Sequence, residues 1–216
     1  MSKVVLKSRQ EIAQVIAADI ADGAYVNLGI GQPTLVANYI APEKEVVFHS
    51  ENGILGMGPA PDEALVDYDL INAGKMPVSL VTGGAFFHHA DSFSMIRGQH
   101  IDVCVLGAYQ VAINGDLANW NTGSPEAIPA VGGAMDLAAG AKQVWVMMDL
   151  FTKKGQSKLV SACDYPLTGL ACVDRIYSDH ATFEITPEGV VVRDIVPGHT
   201  LEGLSELLGL DLLPNA

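Results

Sequence analysis

Phe48-His49-Ser50-Glu51-Asn52-Gly53-Ile54-Leu55-Gly56 is the stretch whose reading decides the fold. Glu45 to Phe48 before it is apolar and β-branched enough for a short buried strand. Met57-Gly58-Pro59-Ala60-Pro61 after it has neither helix nor strand period and reads as loop. Glu51 therefore stands where a strand ends and a glycine-rich turn begins. In open α/β sheets this is the edge, outside the carboxyl ends of the strands, where ligands bind. Taken alone, a Glu in this position is a solvated charge. Its neighbours argue for more: Ser50 and Asn52 offer hydrogen-bonding groups, and Gly53 and Gly56 admit close approach to the backbone. A Glu carboxylate is also able to form covalent intermediates with activated acyl groups.

Working outward, Ser8-Arg9-Gln10-Glu11 has the form of a capping box, Ile12, Ile16 and Ile20 follow at helical spacing, and Gly23 offers a C-cap. Ala24 to Leu28 reads as a strand. Gly29 and Gly31 then precede Pro33, a residue suited to the first turn of a helix. Val78 to Thr82 is a strand closed by Gly83-Gly84, His88 to Arg97 a helix, and Ile101 to Leu106 a strand. Asn114-Gly115 marks a hairpin turn. Asn121 to Pro129 is loop, a short helix opens at Gly132-Gly133, and Val144 to Met148 is buried strand. Leu159-Val160, Val173 to Tyr177, Ala181 to Ile185 and Val190 to Ile195 make the last third richer in strand, before a helix from Thr200 to Leu208. The pattern predicts an α/β fold: one domain over residues 1–216, with a mixed, mainly parallel sheet flanked by helices and an antiparallel part towards the end.

The 216 residues are 49% hydrophobic and 17% charged, enough for a substantial core, and the net charge is −13. That balance argues against nucleic acid and against an anionic membrane surface as partners. No apolar run approaches the roughly 18 residues needed to span a bilayer, and no secretory h-region is seen near Met1, so a cytoplasmic location is expected. Cys104, Cys163 and Cys172 show neither a disulfide framework nor zinc spacing. No metal site is expected.

Several further residues are able to carry chemistry. Gly29 and Gly31 form a strand–turn–helix join, either a ligand loop at a helix N-terminus or a plain tight turn. Gly132-Gly133 before a helix present backbone N–H groups in one direction, as an oxyanion hole requires, or again make only a turn. Lys75, in Asn72-Ala73-Gly74-Lys75, either holds a carboxylate or phosphate or is merely solvated. His88-His89 lacks a third ligand at metal spacing, and Arg97 either binds an anion or pairs with one of the many acids.

Phe-His-Ser-Glu-Asn-Gly-Ile-Leu-Gly at 48–56 resembles the active-site signature of the β subunits of family I coenzyme A transferases. Val131-Gly132-Gly133-Ala134-Met135-Asp136-Leu137 resembles the family's second signature, and the similarity runs from about residue 8 to residue 195. The resemblance implies that Glu51 is the nucleophile, that Gly132 lies by the thioester carbonyl and that Gly133 is a substrate- or coenzyme-binding position beside it. Asn27, Gly29, Gly31, Asn52 and Lys75 are implied as substrate- or coenzyme-binding positions. Thr82-Gly83-Gly84-Ala85-Phe86-Phe87-His88-His89-Ala90-Asp91-Ser92-Phe93-Ser94-Met95, Ile128-Pro129-Ala130-Val131 and Tyr165-Pro166-Leu167-Thr168-Gly169 are most similar to the branch of the family that uses 3-oxoadipate. Gln99 stands where the family usually has glycine, which is a problem only if that turn needs a positive φ.

From the resemblance we expect CoA transfer from succinyl-CoA to 3-oxoadipate through a glutamyl-CoA thioester, with no cofactor besides the CoA thioester substrate. A partner α subunit is also implied, in an assembly expected to be α2β2. Alternatives are acetoacetate or another short acid as acceptor, or a non-catalytic effector-binding α/β domain. For 3-oxoadipate, His88, His89, Ser92 and Arg97 are the residues expected to meet the second carboxylate, unless the partner subunit does so.

Overall fold

A computed structural model describes residues 4–124 and 130–215. Residues 125–129, which include Ile128-Pro129 and the end of the loop expected from Asn121, lie outside the described residues.

Helix α1 is Arg9–Asp19, and its capping box is complete: the Ser8 side chain accepts from Glu11 N–H while the Glu11 carboxylate accepts from Ser8 N–H. The helix ends on Ile20, and Gly23 lies in the turn beyond it with φ +75° rather than at the cap. Strand β1 (Tyr25–Leu28) follows, then a 3₁₀ helix, Gln32–Tyr39. Strands β2 (Val47–Ser50), β3 (Ile54–Met57) and β4 (Leu80–Phe86) form an antiparallel meander. Helix α2 (His89–Arg97) leads to β5 (Val103–Leu106), and the hairpin β6 (Gln110–Ala112) to β7 (Leu117–Ala118) turns at Asn114-Gly115 as the sequence predicts. Helix α3 (Ala134–Gly140), β8 (Gln143–Met148) and β9 (Leu159–Val160) come next. The chain closes with β10 (Arg175–Ser178), β11 (Ala181–Thr186), β12 (Gly189–Ile195), α4 (Leu201–Leu208) and β13 (Leu212–Pro214).

Among the described residues the main sheet has ten strands in the order β13-β12-β11-β10-β8-β5-β1-β2-β3-β4, beside a smaller sheet β7-β6-β9. The centre, from β2 through β1, β5 and β8 to β10, is parallel. The antiparallel part flanks it on both sides, whereas the sequence predicted it only towards the end. The difference lies in the glycine-rich region. Gly56, Gly83 and Gly84 are not loop punctuation but strand residues, and Gly56 and Gly84 lie where two backbones nearly touch: a Cβ on Gly56 would come within 2.9 Å of the Gly84 Cα. Gly53 similarly faces the Phe87 carbonyl. These glycines admit a neighbouring strand, not a ligand.

The central strands bury both faces, as parallel strands between helices must. Cys104, Leu106, Val144, Val146 and Met148 join α2, α3 and α4 in one core. Val26, Val103, Val105, Trp145 and Met147 pack against Ile12 and Ile16 of α1 in the other. Each fully buried Ile, Leu or Val contributes on the order of 1.5–3 kcal/mol. The outcome that matters for function is a rigid row of strand ends. The chain order reverses about β1, which has β2 on one side and β5 on the other, and a crevice opens there.

Candidate active site

A cleft of 510 Å³ occupies that crevice. Its floor is the end of β5 and of β8, with Leu106, Met147 and Met148. Gly29 and Gln32 line it from the β1 loop, Glu51 from the β2–β3 turn, and Gly132 and Gly133 from the start of α3. Of the expected site, Glu51, Gly29, Gly132 and Gly133 thus converge on the cleft, while Gly31 is passed over by its lining.

Glu51 occupies the tight turn closed by Gly53 N–H donating to the Ser50 carbonyl at 2.9 Å. Gly53 holds φ +111°, a conformation costly for other residues. The turn is also tied to the 71–77 loop: Ala73 N–H donates to Ser50 Oγ at 3.1 Å and Asn52 Nδ2 to the Ile71 carbonyl at 2.7 Å. Asn52 and Ser50 therefore brace the turn and do not touch the carboxylate. Burial pushes the Glu51 carboxyl above its ordinary value; His89 opposes this and Asp136 adds to it. The carboxylate rests against Gly133, where a Cβ would come within 2.6 Å of Oε2 and 3.2 Å of Oε1. Of the glycine pair, it is thus Gly133 that meets Glu51. Gly132 lines the cleft but has open space about it, at φ +55°. Among the described residues, neither Gly132 N–H nor Gly133 N–H donates to a backbone carbonyl.

Beneath Glu51 lies a buried polar chain that the sequence did not announce. His49 is 1% exposed; its Nδ1 accepts from Asn27 Nδ2 at 3.0 Å, so Nε2 carries the proton and donates to Ser92 Oγ at 2.9 Å. Desolvation lowers the His49 pKa to about 4, so the ring is neutral. Asn27 also donates to the His49 carbonyl at 3.2 Å and is 2% exposed. Its Nδ2 is committed to His49, and Asn27 does not line the cleft.

The remaining expected residues are scattered. Lys75 is exposed, with φ +62°, outside the cleft lining. His88 is the N-cap of α2, its Nδ1 accepting from Ala90 N–H at 3.1 Å, and Ser92 is spent on His49. Arg97 is bound to Asp136 at 2.6 Å and lies over the Phe93 ring. Of that group only His89 acts electrostatically on Glu51. One residue went unnoticed: Lys158, which lines the cleft from the strand β9 side. It sits next to a run of exposed turn residues, Thr152 to Gln156, and nothing in its spacing set it apart.

Comparison with known proteins bears on this arrangement. The family model described as coenzyme A transferase matches residues 9–206. The chain is 64% identical over 206 residues to the B-type subunit of the 3-oxoadipate CoA-transferase of Pseudomonas putida, covering 95% of this chain and 96% of that protein. It is 46% identical over 198 residues to the B-type subunit of the succinyl-CoA:3-ketoacid coenzyme A transferase of Helicobacter pylori, covering 92% and 95%. In fold it is similar to an acyl-CoA transferase apoenzyme from Escherichia coli O157:H7, with a TM-score of 0.75 at 16% identity, covering 100% of this chain and 43% of that one. Among the described residues no helix is long and apolar enough to cross a membrane.

Proposed function

The chain belongs to the coenzyme A transferase family, and from that premise we propose that it is the glutamate-bearing subunit of an enzyme that moves CoA from succinyl-CoA to 3-oxoadipate. The observation that carries the reading is the half-buried Glu51 carboxylate set against Gly133 in the cleft. A carboxylate oxygen of Glu51 attacks the thioester carbonyl, the C–S bond breaks, and CoA leaves as thiolate. The succinyl–glutamyl anhydride that forms is attacked by the thiolate at the glutamyl carbonyl, releasing succinate and leaving CoA on Glu51 as a thioester. The acceptor carboxylate then runs the sequence in reverse, and Glu51 departs as carboxylate. No net proton is needed, and no metal or redox cofactor is called for. Desolvation suits Glu51 to the task, since a carboxylate held away from water is a better nucleophile. The N–H groups of Gly132 and Gly133 take the tetrahedral oxyanions.

A partner subunit completes the site. The Pseudomonas putida and Helicobacter pylori relatives are each named as one subunit of a transferase, and coenzyme A is polyanionic while this chain has a net charge of −13. The edge strand β4 leaves Val81 and Phe86 exposed, beside Tyr68 and Met76, a surface suited to that partner in an α2β2 assembly. A shorter 3-oxoacid such as acetoacetate is the second reading, favoured by the similarity to the Helicobacter pylori 3-ketoacid enzyme. Location in the cytoplasm is in keeping with these substrates.

The test is mass spectrometry of the assembled enzyme incubated with succinyl-CoA and no acceptor. CoA is expected on the peptide containing Glu51, with the adduct and all exchange absent in Glu51→Gln. An adduct on another residue, or an active Glu51→Gln, overturns the mechanism; an acceptor panel decides between the two acids.

A further inference from the structure

We propose that the ammonium group of Lys158 binds the second carboxylate of the dicarboxylic substrates, the one that does not react with Glu51. The inference rests on the transferase reading above. Glu51 and Lys158 are the only charged side chains lining the cleft among the described residues; the rest of the lining is apolar, glycine or neutral polar. The two reacting acids, succinate and 3-oxoadipate, each bring one carboxylate to Glu51 and leave another that has to be met by a cation or by donors, because an unpaired buried charge is costly. The phosphates of coenzyme A are a poor match for this position: the pantetheine arm separates them from the reacting sulfur by many bonds, whereas Lys158 shares one 510 Å³ cleft with the nucleophile.

Lys158 is built to stay in place. Its N–H donates to the Leu150 carbonyl at 2.9 Å and its carbonyl accepts from Val111 N–H at 2.8 Å, so its backbone is fixed to both the end of β8 and the small sheet. The turn before it is closed by Thr152 N–H donating to the Gln156 carbonyl at 2.8 Å and by a bridge between Phe151 and Ser157. The ammonium itself has no carboxylate within 4.0 Å and makes no hydrogen bond among the described residues. The acids that face it are already engaged. Asp149 is paired with Arg9 at 3.1 Å, and Asp179 accepts from Leu150 N–H at 2.7 Å and lies 3.7 Å from His180. Arg9 is the other charge facing Lys158, and it is turned to Asp149 and towards the side-chain amide of Gln32. Burial lowers the Lys158 pKa, Asp149 and Asp179 oppose this, and Arg9 adds to it. Three of the four residues of the 88–97 segment that the sequence put forward for this task are spent elsewhere, His88 on a cap, Ser92 on His49 and Arg97 on Asp136, and the fourth, His89, acts on Glu51 but is not part of the cleft lining.

The experiment uses Lys158→Met and Lys158→Gln, each assembled with the partner subunit, and first charges the enzyme with CoA at Glu51. The decay of that adduct is then followed in single turnovers with succinate, 3-oxoadipate and acetoacetate. Lys158→Met is expected to lower the second-order rate constant for the two dicarboxylic acids about ten- to a hundredfold, the worth of a charge-assisted hydrogen bond, and to leave acetoacetate within about threefold of wild type. Lys158→Gln reads the same ratio if the methionine variant does not fold, and Lys158→Arg should restore the preference. Equal losses for all three acids overturn the proposal, as does an undiminished preference for dicarboxylic acids. Failure of the underlying transferase reading would look different: wild type itself would form no adduct on Glu51.

Discussion

Replacing Gly133 by alanine puts a methyl group where the Glu51 carboxylate now rests. The backbone tolerates it, since Gly133 has φ −81° and ψ 0°, a right-handed conformation open to any residue. The added Cβ would meet Oε2 at 2.6 Å, 0.8 Å inside the 3.4 Å at which ordinary contact begins. The group that must yield is the far end of a side chain, so the fold loses little. The reacting oxygen, however, moves by most of that distance. Misplacement of about 1 Å costs on the order of a hundredfold in rate, so kcat/KM should fall about ten- to a hundredfold, or about 1.4–2.7 kcal/mol. Gly132→Ala is the contrast. Nothing lies within 4 Å of its Cβ, but φ is +55°, so it strains the backbone by about 1–2 kcal/mol without pressing on Glu51. CoA exchange and thermal melting should therefore separate the two: Gly133→Ala keeps the melting temperature and loses rate, while Gly132→Ala lowers the melting temperature. A Gly133→Ala enzyme with more than half the wild-type kcat/KM would refute the contact as the determinant of the nucleophile's position.

Two further outcomes follow from single residues. The fold depresses the His49 pKa from 6.5 to about 4, so the stability that neutral His49 contributes is complete above about pH 6.5 and is lost as the pH falls towards about 4. Urea unfolding of wild type and His49→Gln should show a stability gap that narrows over that window; a gap independent of pH contradicts a neutral buried imidazole. Gln99 does adopt φ +61°, so the turn that favours glycine is real. Gln99→Gly should relieve about 1–2 kcal/mol of strain against about 0.5–1 kcal/mol of added chain entropy. Calorimetry should register a melting temperature higher by about 1–4 °C, with CoA exchange unchanged, and a lower one would count against the strain.

What the sequence reveals best is local. The capping box at Ser8 and Glu11, the Asn114-Gly115 hairpin and the position of Glu51 at a strand end are each written within a few residues. Less legible is whatever depends on a partner distant in sequence. Gly56 and Gly84 read as breaks because glycine usually ends strands, and the near contact of their two backbones is invisible until β3 lies on β4. The bond from Asn27 Nδ2 to His49, in the neighbouring strand β2, likewise joins residues too far apart in sequence to be read together. Gly132 and Gly133 cannot be ranked without knowing where Glu51 points. Lys158 closes a turn rich in exposed polar residues and looks like more of the same, because its neighbours in the cleft come from β1, β2, β5 and α3.

The neutral state of His49 bears on the reactivity of Glu51. The two residues stand two apart, His49 in β2 and Glu51 in the turn after it, and burial disfavours a protonated imidazole at His49. The structure also opposes it by donation at one ring nitrogen: an amide N–H such as that of Asn27 can only give a hydrogen bond, so Nδ1 must accept and remain unprotonated. Ser92 then takes the single remaining proton donor, and the chain is satisfied without any charge. Charge reaches Glu51 only from the outside, from His89 on α2 and Asp136 on α3, which act in opposite directions. Desolvation is left as the leading influence, so the Glu51 carboxyl is raised above its ordinary pKa, and the same burial holds its carboxylate away from the water that would blunt its attack.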